Sequence, residues 1–257
     1  MKSGLRIGRV LLERHTPTVI APFTDRTPPA TLRTAAARGL DLAEARVDLF
    51  QDRTSAHVIG VVRAVAELVP VLATLRSSKE GGRFGEDGDE RAVLYRELLP
   101  HVGAIDIELD ARVRASVVQA ARRRKVPVVL SHHDFEATPP DAVLDRVVIR
   151  SREAGADITK IAAHLKSEAD AARLAALFAR HPGAPLVVIG MGELGKLTRV
   201  LFPALGSLFT FAALDRATAP GQLALAETIR ELCRYYPDYA SRLSERRVAR
   251  AKLPKKR

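Results

Sequence analysis

The chain has 257 residues, 47% of them hydrophobic, which is ample for a packed core in one large α/β barrel or two small domains. No apolar run approaches the roughly eighteen residues of a membrane span, the start MKSGLRIGRV lacks an apolar signal core, and the single cysteine, Cys233, excludes an internal disulfide and any site built from several thiolates, so a cytoplasmic protein with no membrane partner is expected. The net charge of +11 invites a nucleic-acid reading, but residues 241–257 carry eight Lys and Arg against Glu245, a net of +7 that leaves only +4 for the body; with sparse aromatics and no recognition motif, no specific nucleic-acid partner is expected.

Along the chain, LRIGRVLLERH reads as a small hairpin at the bottom of the fold. Short apolar runs then alternate with longer helical patterns. The strand candidates are 18–23 (TVIAPF), 42–50 (LAEARVDLF), 70–76 (PVLATLR), 104–109 (AIDIEL), 126–131 (VPVVLS), 156–162 (ADITKIA), 185–191 (PLVVIGM) and 207–213 (SLFTFAA). Between them lie segments rich in Ala, Leu, Arg and Glu, among them 111–125, 167–180 and 220–236, the last opening with proline at a helix start. Strand alternating with helix throughout predicts an α/β fold, a closed (β/α)8 TIM barrel. The expected organisation is one catalytic domain over residues 1–238, hairpin included, followed by a basic tail over 239–257 that reads as frayed or disordered.

Alternation in the second run puts Leu42, Glu44, Arg46 and Asp48 on one face and Ala43, Ala45, Val47 and Leu49 on the other. If the apolar face packs on the helices, the ionic one points into the barrel. Asp106 and Glu108 repeat the pattern, as do Thr74 and Arg76. Barrel interiors are ordinarily filled with branched apolar side chains. Inward charges therefore either neutralise one another as buried pairs or meet a polar ligand.

The strand ends collect chemistry at the C-terminal mouth, where barrel enzymes keep their sites. Lys160 sits in the apolar stretch DITKIAA. It is either a strand-end charge reaching solvent or a desolvated amine, flanked by the inward Arg46 and Arg76, suited to attack a carbonyl and form a Schiff base. His133 in SHHDF is a proton-transfer candidate near neutrality, with a hydrogen-bonded loop histidine as the plain alternative. Adjacent His132 points to the opposite face of extended backbone, and without an H-x-x-x-H pair or thiolate cluster no catalytic metal is expected. Glu80, four residues after Arg76, either orients an imidazole or is a solvated loop carboxylate. Arg199 and the TAPGQ turn, with Thr218 at a cap and Gln222 beyond Pro220, offer a guanidinium, a hydroxyl, an amide and a helix N-terminus to a carboxylate; a plain capping turn is the alternative. With Glu44, Arg46 and Arg76 left to bind hydroxyls, the pocket suits a small polyhydroxylated keto acid.

Six stretches, EARVD, TLRSSKEGG, SHHDFEATP, GADITKIA, MGELGKLTR and TFAALDRATAPGQ, span Glu44 to Gln222, with Lys160 lying 27 positions after His133. In that order they resemble the type I 3-dehydroquinate dehydratases. The resemblance implies a cofactor- and metal-free syn dehydration of 3-dehydroquinate to 3-dehydroshikimate, in the shikimate pathway of aromatic amino acid biosynthesis. It makes Lys160 the Schiff-base nucleophile, His133 the general acid and base assisted by Glu80, Arg199, Thr218 and Gln222 the carboxylate site, and Glu44, Arg46 and Arg76 the hydroxyl site. It further implies a homodimer and a mobile DRATAPGQ turn. One departure stands out: threonine occupies position 218 where the family usually has serine, which keeps the hydroxyl but stiffens the rotamer.

A second motif competes. Gly190, Gly192 and Gly195 spell G-x-G-x-x-G after an apolar run, with Asp215 twenty positions on, as in a dinucleotide-binding turn. Only one strand remains behind it, so the further βαβ units of such a domain have no room. The glycines are expected instead to bring backbone near substrate and let Arg199 reach inward. Two rival functions stay open: a class I aldolase-like lyase, which a product assay separates, and a basic binding protein, whose polyanion affinity removal of residues 241–257 would abolish.

Overall fold

The computed structural model describes residues 4–85, 89–214 and 219–251, with side chains as far as Arg246. A hairpin of β1 (Arg6–Ile7) and β2 (Val10–Leu11) precedes eight parallel strands: β3 (Thr18–Phe23), β4 (Leu42–Arg46), β5 (Val71–Thr74), β6 (Ala104–Glu108), β7 (Val128–Asp134), β8 (Ile158–His164), β9 (Leu186–Met191) and β10 (Phe209–Ala213). The helices between them are α1 (Pro29–Arg38), α2 (Ser55–Ala66), α3 (Glu90–Leu98), α4 (Arg114–Arg123), α5 (Asp141–Glu153), α6 (Glu168–Arg180) and α7 (Gly195–Leu205). After β10 come a two-residue strand β11 (Leu223–Ala224), α8 (Leu225–Tyr235) and α9 (Pro237–Ala251).

Strands β3 to β9 pair in sequence order, and β10 pairs with β3, so the sheet curls into the expected barrel. The ladder is thin at the closing seam. There Leu208 N donates to Leu186 O at 2.9 Å and Val188 N to Ser207 Oγ at 3.1 Å, while β11 adds parallel to the upper end of β10.

Period-two alternation sorts the side chains. Ala43 and Ala45 of β4, Ile105 and Ile107 of β6, and Ile161 and Ala163 of β8 join the apolar layer beneath the helices. On the axis, Ile20, Leu42, Leu72, Ala104, Val129, Ile158 and Phe209 form an apolar floor, closed from outside by Ile7, Val10 and Leu12 of the hairpin region. Above that floor the axis turns ionic, with Glu44, Thr74, Asp106, Ser131 and Lys160 all buried.

Three expectations need correction. Val47–Leu49 is a 3-10 turn rather than the end of a strand, so Asp48 reaches Arg46 by folding back beside it, not by alternation. The helix expected from Pro220 starts at Leu225; Pro220 and Gly221 form a turn, and Gln222 precedes β11, so no helix N-terminus faces the site there. Proline marks turns as readily as helix starts. The region after Tyr239 is helical to Ala251, and the expected boundary at 238/239 falls inside α9, whose Tyr239 and Leu243 are buried.

Candidate active site

The site grows from the ionic layer. Asp106 on β6, with no solvent exposure, accepts from Arg76 Nη2 at 2.6 Å, Ser131 Oγ at 2.7 Å and Lys160 Nζ at 2.9 Å. Burial alone would raise its carboxyl; Arg76 and Lys160 overcome this and hold it well below the usual carboxylate range. Arg76 also donates to Ser131 Oγ at 2.7 Å and lies 3.2 Å from Glu108, which is bonded in turn by Arg91 and by Ser77 N at 2.8 Å. Glu44 accepts from Thr74 Oγ1 at 2.8 Å and stands 3.9 Å from Lys160 Nζ. Each charge has a partner, which is what makes an ionic barrel interior tolerable. Lys160 therefore does not face bare arginines. Its ammonium is paired with Asp106 and lies 4.5 Å over the Phe211 ring, a cation–π contact.

Register carries the site upward. The β7–β8 ladder sets Ser131 beside Lys160 and His133 beside Ala162, so the imidazole sits two residues nearer the mouth than the amine. Glu80, on the 3-10 turn Ser78–Glu80 after β5, holds His133 twice: its Oε2 lies 2.8 Å from Nδ1 and accepts from the backbone N–H at 3.1 Å. This contact leaves Nε2 as the nitrogen to meet a ligand. Burial, then the cations Arg76 and Lys160, keep the imidazole neutral well below its ordinary value, and burial pushes the Glu80 carboxyl up to about 8. The base form of His133 is thus the resting one.

Arg199, on the inner face of α7, is 2% exposed. Its Nη2 donates to Pro220 O at 3.4 Å, its buried Nε has no partner, and no carboxylate pairs with it among the described residues. Burial alone lowers its guanidinium to about 10. A dry cation without a counter-ion is an anion receptor. The glycine-rich turn builds this corner: Gly192 has φ of +85°, and a Cβ on Gly195 would lie 2.4 Å from Gly190 O, so glycine lets α7 start hard against β9. The turn thus serves the packing that carries Arg199 inward, in place of a dinucleotide.

One cavity of about 510 Å3, its mouth included, is lined by Glu44, Arg46, Arg76, Glu80, His133, Lys160, Arg199 and Gln222. Those are eight of the nine expected site residues; Thr218, like Asp215, lies outside the described residues. Arg46 is turned by Asp48, which takes its Nε at 2.9 Å and Nη2 at 2.8 Å. The opposite wall is apolar, made of Ala162, Ile189, Met191 and Phe211. The lining has the chemistry to accept a small ligand with hydroxyls on one face, a carboxylate at Arg199 and a carbonyl at Lys160.

The profile of the family described as Type I 3-dehydroquinase matches residues 24–236, most of the chain. The chain belongs to the type I 3-dehydroquinase family. The 3-dehydroquinate dehydratase of Methanococcoides burtonii is 33% identical over 223 residues, 85% of this chain and 94% of that protein. Among solved structures, the 3-dehydroquinate dehydratase of Aquifex aeolicus superposes with a TM-score of 0.79 at 31% identity, covering 86% of this chain and 99% of that one. The type I enzyme of Clostridium difficile, determined with covalent modified comenic acid, gives 0.83 at 27% identity, covering 92% and 99%. Type I 3-dehydroquinase membership and the barrel thus agree.

Sequence reasoning left out Ser131, which bridges Arg76 and Asp106, and the rings Phe135 and Phe211. Ser131 shared an inward face with Val129 and His133, which was the signal for it. The phenylalanines carry no comparable mark, because an apolar ring reads as core.

Proposed function

We propose that the chain dehydrates 3-dehydroquinate to 3-dehydroshikimate through an imine on Lys160, as a lyase of the shikimate pathway. One observation carries this: a buried amine shares a cavity with a neutral His133–Glu80 pair and an arginine that has no counter-ion among the described residues. Arg199, Thr218 and Gln222 hold the substrate carboxylate, and Glu44, Arg46 and Arg76 hold the hydroxyls. Lys160 Nζ adds to the ring ketone and one water leaves as the iminium forms. Because the cation withdraws electrons, the neighbouring carbon acidifies, and neutral His133 takes its proton to give an enamine. The imidazolium then protonates the departing hydroxyl, which leaves as a second water. One water hydrolyses the conjugated iminium and frees Lys160 and the enone, so the net change is loss of one water. The covalent ligand of the Clostridium difficile relative is consistent with this chemistry.

The test is intact mass after incubation with 3-dehydroquinate and borohydride. A single reduced adduct mapping to Lys160, absent from Lys160→Ala, is the expected result; folded protein yielding neither adduct nor enone would refute the reading. The aldolase-like rival would give carbon–carbon cleavage products in the same experiment. The catalytic unit is taken as a single domain that includes α9, acting in the cytoplasm. Homodimerisation would cover the outer face of α7, where Leu194, Leu197, Leu201 and Leu205 are exposed in a stripe behind Arg199.

A further inference from the structure

The His133 and Glu80 side chains keep only 10% and 12% of their exposure although they stand at the mouth of the barrel. Part of the cover is Phe135. Its ring stacks on the His133 imidazole, with centroids 6.2 Å apart and planes 15° from parallel, a favourable offset arrangement. The chain is bent to place it there. Asp134 Oδ1 accepts from Glu136 N and Ala137 N, both at 2.9 Å, an Asx turn that folds the residues after β7 back over the strand end. From the other side, Gly81 follows Glu80 with φ of +75°, and a Cβ there would lie 2.6 Å from Phe135 Cζ. Only glycine combines that backbone with a seat for the ring. The loop after β5, which supplies Glu80, and the loop after β7, the strand that carries His133, thus meet through Phe135.

We propose that Phe135 is a positioning residue for the His133–Glu80 pair, its ring being the water-excluding cover that keeps the imidazole dry and in one orientation. In the dehydration it acts through His133, and to that extent it rests on the proton-transfer role proposed above. The groups facing the imidazole are Glu80 and Arg76 from β5 and its following turn, Asp106 from β6, Lys160 from β8 and Arg46 from β4. None of these contacts is made by Phe135, so its removal leaves the charges in place and changes only the access of water.

The sign follows. Burial is the first cause holding His133 neutral, so admitting water favours the imidazolium, and the base form is then lost at a higher pH. In Phe135→Ala the NMR titration midpoint of the His133 ring in the ligand-free protein should rise toward the ordinary value of about 6.5. The acid limb of kcat/KM should move up with it, and kcat should fall on the order of 10-fold or more, within the range that a positioned acid–base group supplies. Phe135→Leu, which keeps an apolar cover, should restore most of both. Phe135 is 38% exposed, so neither change threatens the core. A His133 midpoint and an acid limb that both stay in place in Phe135→Ala, with only KM altered, would overturn the proposal and leave the ring as a wall for substrate. Because the NMR arm needs no turnover, failure of the dehydratase reading would appear separately, as the absence of a trapped adduct on the unmodified protein.

Discussion

Arg199 is the side chain whose energetics most clearly point away from folding. Buried ion pairs such as Arg76–Asp106 lose about 3–5 kcal/mol when one partner is removed, because a bare charge is left behind. Arg199 is already in that state, 2% exposed with an unpartnered Nε and no acid beside it among the described residues. Arg199→Met fills similar volume without the charge, so thermal melting should show a midpoint equal to or above that of the parent. KM for the carboxylate substrate should rise on the order of 10–100-fold, the loss of a charged hydrogen bond of about 1.5–3 kcal/mol, with a smaller change in kcat. A lower melting midpoint would mean that the guanidinium is structural. The same reasoning explains how much of the site could be read from sequence. Glu44, Arg46, Arg76 and Lys160 break the apolar alternation of a barrel strand, and each such breach raises the question of what compensates it. The compensation itself was less legible: Ser131 and Asp48 reach their partners across strands or through a turn that no local pattern encodes.

Strands β3, β6 and β9 fall within two residues of their expected bounds because each is a short apolar run flanked by turn residues, so pattern and burial agree. The misread elements are those where one residue type serves two purposes. Pro220 sits in a turn, and the arginine-rich α9 exposes so much polar surface that Tyr239 and Leu243, its two buried side chains among the described residues, hardly register as a stripe. Glycines show the same doubleness, and the structure separates them. Gly60 lies exposed inside α2, and nothing comes within 4 Å of a Cβ built on it. Gly60→Ala should therefore stabilise by about 0.5–1 kcal/mol through helix propensity and a stiffer unfolded chain. Gly195 opens α7 with its Cβ position 2.4 Å from the carbonyl oxygen of Gly190 and 2.5 Å from its carbon, backbone that cannot swing aside. Gly195→Ala should cost about 1–3 kcal/mol and, by lifting the helix that carries Arg199, raise KM in the same direction as Arg199→Met. Urea denaturation of the two variants with parallel kinetics checks both; a Gly195→Ala protein of unchanged stability and KM would show that α7 is not held against β9 by that contact.

The basic C-terminal segment is where the molecule departs most from its sequence pattern, and the reason lies some two hundred residues away. Asp41 sits at the N-terminal end of β4, its side chain 1% exposed, with Oδ2 accepting from Val19 N at 2.8 Å. It needs a cation, and α9 supplies Arg246 in direct contact and Arg242 at 3.8 Å. Leu243, between them, packs at Gly39, where a Cβ would lie 2.8 Å from its Cδ1, and Arg242 donates to Pro17 O at 2.5 Å. Part of the tail's charge is therefore spent stapling a helix to the end of the barrel opposite the catalytic mouth, not reserved for a polyanion. Because the anchor and the site share no residue, stability and catalysis should separate. Leu243→Ala, which empties a buried leucine site, should lose about 2–4 kcal/mol of unfolding free energy, while kcat/KM at 25 °C stays within about twofold. Ending the chain at residue 251 should change neither stability nor turnover, since α9 is then complete, whereas ending it at 238 should destabilise more than Leu243→Ala by removing Tyr239 as well. Denaturant melts and initial rates on the three proteins decide the matter. A chain ending at 238 that melts like the parent would return residues 239–257 to the status of a solvated tail, and salt-dependent polyanion binding would then be the place to look for their use.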